Sequence, residues 1–330
     1  MSNAPLDVVG VGNAIVDVIA QADDELIKRL DLNKGTMTLI DAAQAEWLYS
    51  EMGSGLEASG GSAANTLAGI ASLGGKGAYI GKVRDDQLGK VFSHDISAIG
   101  VDYRLRAATD GPPTARCLIF VTPDAERTMQ TFLGVSVMLG PEDIDPGAIG
   151  DAQVTYLEGY LFDRDEAKQA FVKAAELAHA ADRKVALSLS DPFCVDRHRA
   201  SFRHLVEGHV DILFANHDEI TSLFETDSFD DAVASVKGHV DIAAVTRGAE
   251  GSVIVTQDET IEVPAEPVSK VVDTTGAGDL YAAGVLYGLT QGYELAVAGR
   301  MGSICAAEII SHYGARPETP LEDLVRSKLG

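Results

Sequence analysis

The stretch "VTYLEGYLFDRDEAKQAFVKAAELAHAADRKVALSLS", residues 154–190, contains a strand, a helix and a second strand in succession. Two short blocks rich in apolar residues, 154–159 and 184–190, flank a helical pattern over residues 165–183. Strands that read as near-continuous apolar blocks with helices between them are typical of a parallel sheet covered on both faces. This stretch therefore predicts an α/β fold.

The same alternation extends along most of the chain. A further helix is predicted over residues 229–238. Further buried strands are predicted at residues 6–12, 76–83, 210–216 and 241–246. Together they indicate one doubly wound, mostly parallel sheet flanked by helices, which binds its ligands at the carboxyl ends of its strands.

Two segments, residues 14–45 and 101–135, interrupt this alternation. They hold short alternating runs such as "RCLIFVT" and "ERTMQTFL", which are joined through the turn-rich "TPDAE" at residues 122–126. We predict a small β-rich lid over the active site, with an extension of the main sheet's edge as the alternative. The large domain is then expected to comprise residues 1–13, 46–100 and 136–330.

Composition narrows the class of protein. Hydrophobic residues make up 46% of the 330 residues, which suits a sizeable buried core. The 26 basic and 50 acidic residues give a formal net charge of −24, which argues against nucleic acid and anionic membranes as partners. The scattered Cys117, Cys194 and Cys305 are typical of free thiols in a reducing compartment. No segment resembles a signal peptide or a membrane span, so the cytoplasm is the expected location.

The stretch "VVDTTGAGDLYAAGVLYGL", residues 271–289, has the features of a phosphate site. The small residues Gly276, Ala277 and Gly278 allow backbone N–H groups to form an anion cradle at the start of a helix. Asp279 follows in the first turn, where it could take a proton from an attacking hydroxyl. A tight turn followed by a favourable first-turn charge is the alternative. By contrast, Ile15 breaks the dinucleotide fingerprint in "GVGNAI", which disfavours a nicotinamide-dependent dehydrogenase.

Four motifs in order resemble the ribokinase, or phosphofructokinase B, family of carbohydrate and nucleoside kinases. They are "GGSAANTLAGIASLGG" (60–75), "FANHDE" (214–219), "TRGAEG" (246–251) and "DTTGAGD" (273–279). The resemblance implies a ribokinase-like fold, ATP and Mg²⁺ as cofactors, a small-molecule substrate, and Asp279 as the catalytic base.

Within that family the likeness is strongest to adenosine kinases, in "GNAIVDV" (12–18) and "LSLSDPF" (187–193). The resemblance implies that the ribose hydroxyls are held by Asn13, Asp17, Gly61 and Asn65. A buried carboxylate can accept hydrogen bonds from two hydroxyls at once, as vicinal hydroxyls require. The alternatives are a turn or capping role for Asp17, and a helix cap for Asn65.

The base of a nucleoside would need an apolar pocket. In the matching region, Cys117 and Tyr160 are the candidates for contact with it, and Leu161 and Phe162 could wall the same pocket or pack as ordinary core. Leu161 replaces an aromatic residue of adenosine kinases, and Ala14 replaces a proline. These departures leave purine recognition open.

The resemblance also implies a nucleotide side. Asn216 and Glu219 would position Mg²⁺, largely through water, with a plain helix cap by Asn216 as the alternative. Arg127 aligns with a lid arginine that reaches the transferring phosphate, or is a surface residue of a hairpin. The residues expected to contact the nucleotide are Thr246, Gly248, Gly251 and Thr274.

Asp273 and Thr275 match positions that in relatives help to build a monovalent-cation site, so the resemblance admits K⁺ as a further cofactor. The alternative is that Thr275 only shapes the turn.

The sequence thus predicts an ATP-dependent kinase acting on a primary hydroxyl of a ribose-containing substrate, with adenosine converted to AMP as the leading reaction. A kinase of a free sugar or of another nucleoside is the first alternative. A non-catalytic nucleoside- or sugar-binding regulator is the second, which the presence of Asp279 disfavours. The protein is expected to be a monomer or a homodimer formed through its lid.

Overall fold

The computed structural model describes residues 4–124 and 126–330. Its strands are β1 Leu6–Val11, β2 Ile15–Gln21, β3 Met37–Leu39, β4 Leu56–Gly60, β5 Gly77–Ile80, β6 Asp102–Tyr103, β7 Ala115–Val121, β8 Arg127–Phe132, β9 Ala152–Glu158, β10 Lys184–Ser188, β11 Ile212–Asn216, β12 Ile242–Thr246, β13 Ser252–Val255 and β14 Thr260–Val263. Its α-helices are α1 Asp24–Arg29, α2 Ala42–Glu51, α3 Ser62–Ser72, α4 Gln87–Ala98, α5 Pro146–Asp151, α6 Asp165–Ala180, α7 Pro192–Gly208, α8 His217–Phe224, α9 Phe229–Val236, α10 Ala277–Thr290, α11 Leu295–Ile309 and α12 Leu321–Leu329.

The large sheet has the strand order β14-β13-β12-β11-β10-β9-β1-β5-β6. All neighbours from β12 to β6 are parallel, and β13 and β14 add an antiparallel edge. The six strands predicted from apolar blocks are confirmed as β1, β5 and β9 to β12. The doubly wound, mostly parallel sheet predicted from the sequence is therefore confirmed.

Side chains of the central strands alternate between two buried clusters, as the pleat of a strand requires. On one face, Val8, Tyr156 and Ala186 pack with residues of α3, α10 and α11. On the other face, Val9, Leu157 and Leu187 pack with residues of α6, α7 and α8. Helices therefore cover the sheet on both sides. Among the described helices, none combines the length and the apolar character that crossing a membrane requires.

The small sheet has the order β3-β8-β7-β2-β4. The chain enters it from the large sheet through residues 12–14, which connect β1 to β2, and leaves β4 directly into α3. Helix α2 packs against β7 and β8. The two sheets therefore meet at the carboxyl end of β1 and the start of α3.

Two strands belong to a different sheet from the one that the predicted domain boundaries assign to them. Strand β4 falls in the segment 46–100 assigned to the large domain, but it pairs antiparallel with β2 in the small sheet. Strand β6 falls in the segment 101–135 assigned to the lid, but it extends the large sheet by pairing with β5. The predicted turn at residues 122–126 includes Ala125, which lies outside the described residues.

Candidate active site

The proposed base, Asp279, is held by two donors from helix α3. Its Oδ1 accepts a hydrogen bond from Ser62 Oγ (2.6 Å) and its Oδ2 accepts one from Asn65 Nδ2 (2.9 Å). Burial raises the pKa of Asp279, while these two donors and the charge of Arg316 act in the opposite direction. The carboxylate is thus fixed in orientation at the first turn of α10.

The turn before α10 provides free backbone donors. Gly276 caps the helix with a φ of 80°, a conformation that favours glycine. The N–H of Ala277 donates to Thr274 O (3.2 Å), but within the described residues those of Gly276, Gly278 and Asp279 donate to no protein acceptor. A Cβ at Gly278 would meet no heavy atom within 4 Å. Free donors beside open space fit an anion, although Ala277, predicted to contribute, has its N–H occupied.

Asn65 carries an unsatisfied polar atom. Its side chain is 6% exposed, its Nδ2 is bound to Asp279, and its Oδ1 has no hydrogen-bond partner in the structure. Leaving a buried acceptor unpaired costs about 1–3 kcal/mol. A ligand hydroxyl donating to Oδ1 would remove that cost, which supports the predicted contact with a substrate.

Asp17 is the second carboxylate available to a ligand. It lies in β2 opposite Cys117, and the backbone of Gly60 is so close that a Cβ there would be 2.5 Å from its carboxylate. No donor among the described residues hydrogen-bonds to it. Burial raises its pKa to about 6, with the charges of Arg316 and Arg127 opposing this. Its oxygens can therefore accept hydrogen bonds from substrate hydroxyls.

Asn13, by contrast, is engaged by protein groups. It is 1% exposed, its backbone N and its Nδ2 donate to Glu158 Oε1 (3.3 and 2.9 Å), and its Oδ1 accepts from Ser136 Oγ (2.9 Å). Glu158 Oε2 accepts from Ala63 N (2.8 Å), and burial raises the pKa of Glu158 to about 7 against these donors. Glu158 thus ties β1 to the start of α3. This role of Glu158 was not predicted from the sequence, although an acidic residue that ends an apolar strand is a usable signal.

Gly61 connects β4 to α3 in a conformation only glycine adopts readily, with φ 100° and ψ 140°. A Cβ there would lie 2.2 Å from the carbonyl oxygen of Asn13. The backbones of Asn13 and Gly61, two of the four predicted sugar contacts, therefore lie against each other.

Gly61→Ala is expected to lower the free energy of unfolding by about 2 kcal/mol or more, because both the backbone conformation and the clash oppose the new methyl group. Gly53→Ala is the matched control, since a Cβ at Gly53 meets nothing within 4 Å. Thermal unfolding of the two variants beside the wild type makes the comparison. Equal midpoints for both variants would contradict the expectation.

The residues predicted to form a pocket for a base differ in their burial: three are buried and one is exposed. Leu161 and Phe162 are 0% and 1% exposed and belong to the core, so they do not wall a pocket. Tyr160 is 39% exposed at the turn after β9. Cys117 is buried, Thr131 Oγ1 donates to its sulfur (3.3 Å), and burial raises its pKa to about 12, so it stays a thiol.

Asn216 and Glu219 cap helix α8 reciprocally. Asn216 Oδ1 accepts from Glu219 N (2.8 Å), while Glu219 Oε2 and Oε1 accept from Asn216 N (2.9 Å) and Nδ2 (2.7 Å). Burial raises the pKa of Glu219 to about 7, helped by the nearby charges of Asp191 and Asp279. The helix cap offered as the alternative is therefore present, and a water-mediated role with Mg²⁺ stays a prediction. The described residues contain no group of three or more potential metal ligands.

The turn predicted to contact the nucleotide follows β12, which ends at Thr246. Gly248 and Gly251 have φ values of 57° and 86°, and a Cβ at Gly251 would lie 2.2 Å from Val263 O. Glycine at position 251 thus has a structural reason. Thr274 is exposed at the mouth of the anion cradle. Nucleotide contacts by these residues remain predictions.

Asp273 links the anion cradle to the small sheet. Its Oδ2 accepts hydrogen bonds from Arg127 Nη1 and from Gly314 N (3.0 Å), and its Oδ1 accepts from Thr275 N (3.0 Å) and Oγ1 (2.7 Å). Although burial opposes it, these donors and the charge of Arg127 leave the pKa of Asp273 below its ordinary value. The carboxylate predicted to hold K⁺ is therefore already paired with a guanidinium. Arg127 is buried in this ion pair and is not the surface residue offered as the alternative.

Comparison with known proteins identifies the family of the chain. The sequence matches the pfkB family of carbohydrate kinases over residues 37–322. The chain belongs to this family, whose members are phosphotransferases acting on hydroxyl groups.

Individual relatives extend the comparison. An adenosine kinase from Sinorhizobium meliloti is 50% identical, with a TM-score of 0.90 over 98% of this chain and 100% of that one. A probable sugar kinase from Rhizobium etli is 49% identical, with a TM-score of 0.91 over 99% of both chains. The adenosine kinase of Saccharomyces cerevisiae is 27% identical over 98% of this chain and 99% of its own length. Nucleoside and sugar kinases thus both resemble it along their whole length.

Proposed function

We propose that the protein is an ATP-dependent kinase that phosphorylates the primary hydroxyl of a nucleoside, with adenosine as substrate and AMP as product. The observation that carries the proposal is the position of Asp279. It lies beside free N–H groups at the start of α10 and is bound to Asn65, whose Oδ1 lacks a partner. A base, an anion cradle and an acceptor for a substrate hydroxyl thus lie together where the first turns of α3 and α10 meet.

In the proposed reaction, the attacking hydroxyl gives its proton to Asp279 as the phosphoryl group is transferred. The free N–H groups of Gly276 and Gly278 stabilise the charge on that group. The sugar hydroxyls bind Asp17 and Asn65 Oδ1. We also propose that the small sheet acts as a lid, so that its closure excludes water from the reaction.

The residues of the site are compatible with a phosphate donor, ATP, bound together with Mg²⁺. The cradle has open space at Gly278 where phosphate oxygens could lie. Both carboxylate oxygens of Glu219 are engaged by Asn216, so these two residues would hold Mg²⁺ through its waters. When bound, Mg²⁺ would supply positive charge to the phosphates. Because Asp273 is paired with Arg127, we do not include K⁺ in the proposal.

The choice of adenosine is supported by two features. The Sinorhizobium meliloti adenosine kinase shares half of its residues with this chain across nearly its entire length. Tyr160, an aromatic residue beside the site, remains exposed and could contact a base. The probable sugar kinase of similar identity keeps a free sugar as the second candidate substrate.

The test is release of ADP from Mg-ATP with adenosine, guanosine, inosine, cytidine, ribose, fructose and fructose 6-phosphate. We expect adenosine to give the highest kcat/KM. If adenosine released no more ADP than a substrate-free control while a free sugar turned over, the family chemistry would stand and the nucleoside proposal would fail.

The pH dependence of kcat/KM follows from the buried carboxyls. Burial raises the pKa of Asp17 to about 6 and that of Glu219 to about 7, and it also raises the pKa of Asp279. Each group must be ionised to act, so activity should fall as the pH drops through these values. We expect kcat/KM for adenosine to decrease about tenfold per pH unit between about pH 7 and pH 6, and more steeply than that below about pH 6, where a second carboxylate becomes protonated. A profile that stays flat down to pH 5 would contradict this assignment.

A further inference from the structure

Arg316 lies in the segment between α11 and α12 and carries a charge that the reaction as proposed does not use. Its Nε donates to Ser59 O (3.2 Å), its Nη2 donates to Ser59 O (2.8 Å) and Ser59 Oγ (2.9 Å), and its Nη1 donates to Ala64 O (2.6 Å). The guanidinium therefore spans the junction between β4 and α3. That junction contains Gly61 and Ser62, and Asn65 follows it directly.

The residues before Arg316 contact the other half of the site. Gly314 N donates to Asp273 Oδ2 (3.0 Å), and Ala315 packs against Gly276, where an added Cβ would be 3.0 Å from the Ala315 Cβ. Residues 314–316 thus brace both the anion cradle and the start of α3, which are far apart in sequence.

Arg316, unlike Arg127, makes no ion pair with a carboxylate among the described residues. Arg127 is ion-paired with Asp273, whereas no ion pair among the described residues includes Arg316. Its acceptors are carbonyl and hydroxyl oxygens, so its charge is not neutralised by direct contact. Asp17 and Asp279 both lie within range of its field, as does Asp95, which accepts from Ser59 N (2.7 Å) and Oγ (2.5 Å). Burial lowers the pKa of Arg316, but an arginine keeps its proton at neutral pH.

We propose that Arg316 is a positioning residue for phosphoryl transfer, which fixes the β4–α3 junction and supplies a permanent positive charge to the Asp17 and Asp279 carboxylates. The inference rests on the proposed function, in which Asp17 binds substrate hydroxyls and Asp279 accepts the proton. Burial makes the ionised form of each of these two carboxyls less favourable. The Arg316 charge offsets part of this cost for both carboxyls. Because its hydrogen bonds go to Ser59 and Ala64, it occupies neither carboxylate, and both stay free to bind the substrate.

Two substitutions separate the charge from the hydrogen bonds. Arg316→Gln removes the charge and keeps a shorter donor, whereas Arg316→Lys keeps the charge but cannot span Ser59 and Ala64 with one ammonium group. Arg300→Gln is the control, because Arg300 is exposed on α11 and donates to Lys328 O (2.9 Å), away from the site. All three variants are compared with the wild type.

The first readout is the pH profile of kcat/KM for the substrate that the wild type turns over best. We expect Arg316→Gln to move the acid limb upward by about one pH unit, because ionisation of both carboxylates becomes harder. Arg316→Lys should keep the limb at the wild-type position while its kcat falls about tenfold. Arg300→Gln should match the wild type. An unmoved limb in Arg316→Gln, or an equal shift in Arg316→Lys, would overturn the proposal.

The second readout needs no activity. Asp17 and Asp279 have higher pKa values in the folded protein than in the unfolded chain. The free energy of unfolding therefore falls as the pH rises through these values. Loss of the guanidinium raises their native pKa values further. The difference in Tm between wild type and Arg316→Gln should therefore widen from pH 5 to pH 8, whereas a purely structural arginine would give a constant difference. If the wild type phosphorylated nothing, the proposed function would fail, and this measurement would still decide the role of the Arg316 charge.

Discussion

Asp279→Asn is expected to lower kcat for adenosine by about 10³-fold while leaving the fold intact. General-base catalysis typically contributes about 10²- to 10⁴-fold, and an amide cannot take the proton of the attacking hydroxyl. The new amide can keep both contacts of the carboxylate, because its oxygen can accept from Asn65 Nδ2 and its NH2 group can donate to Ser62 Oγ, which is also an acceptor. The loss should therefore appear mainly in kcat, because the groups that bind the sugar through Asp17 remain.

The matched control for this variant is Asp323→Asn. Asp323 also lies in the first turn of a helix, α12, but it is exposed and pairs only with Arg326 among the described residues (3.7 Å). Rates of ADP release and thermal unfolding should be recorded for both variants. Retention of more than about a tenth of the wild-type kcat by Asp279→Asn would show that another group takes the proton.

Asp17→Asn is expected to raise the KM for adenosine by about 10²-fold. Hydrogen bonds to a charged group contribute about 1.5–3 kcal/mol each, and the Asp17 carboxylate is free to accept from the sugar. The KM for ATP should change little, because the anion cradle lies on α10. An unaltered KM for adenosine would remove Asp17 from the substrate site.

The same variant should also become more stable, which separates lost binding from damage to the fold. Burial raises the pKa of Asp17 to about 6, so its ionised form is unfavourable in the native state above that pH. A neutral amide escapes this cost. We therefore expect the Tm of Asp17→Asn to exceed that of the wild type at pH 8 and the two to converge near pH 4, where the carboxyl is protonated in the folded protein.

Elements with strong local patterns could be predicted from the sequence. The apolar blocks at residues 184–190 and 210–216 became β10 and β11 because a strand buried on both faces must be apolar throughout. Strand β4 could not be predicted, since "LEASG" has no clear alternation and its place depends on pairing with β2.

In the candidate site too, residues in local motifs could be predicted from the sequence, and residues whose partners are distant could not. Asp279, Gly276 and Asn65 could be predicted because each lies in a continuous motif that resembles a family signature. Arg316 and Glu158 did not, because their partners are distant in sequence: Arg316 binds Ser59, 257 positions away, and Glu158 binds Asn13, 145 positions away. Such pairs are created only by folding. Leu161 and Phe162 could not be divided between core and pocket, since an apolar residue after a strand suits both.

The proposed reaction transfers a phosphoryl group from Mg-ATP to the primary hydroxyl of a nucleoside. Its most direct test is ³¹P NMR of a reaction containing the wild-type protein, Mg-ATP and adenosine. We expect ADP and AMP to appear in equal amounts while free phosphate stays at the level of the protein-free control. ADP accompanied by free phosphate, or no consumption of ATP with adenosine while a free sugar is phosphorylated, would contradict it.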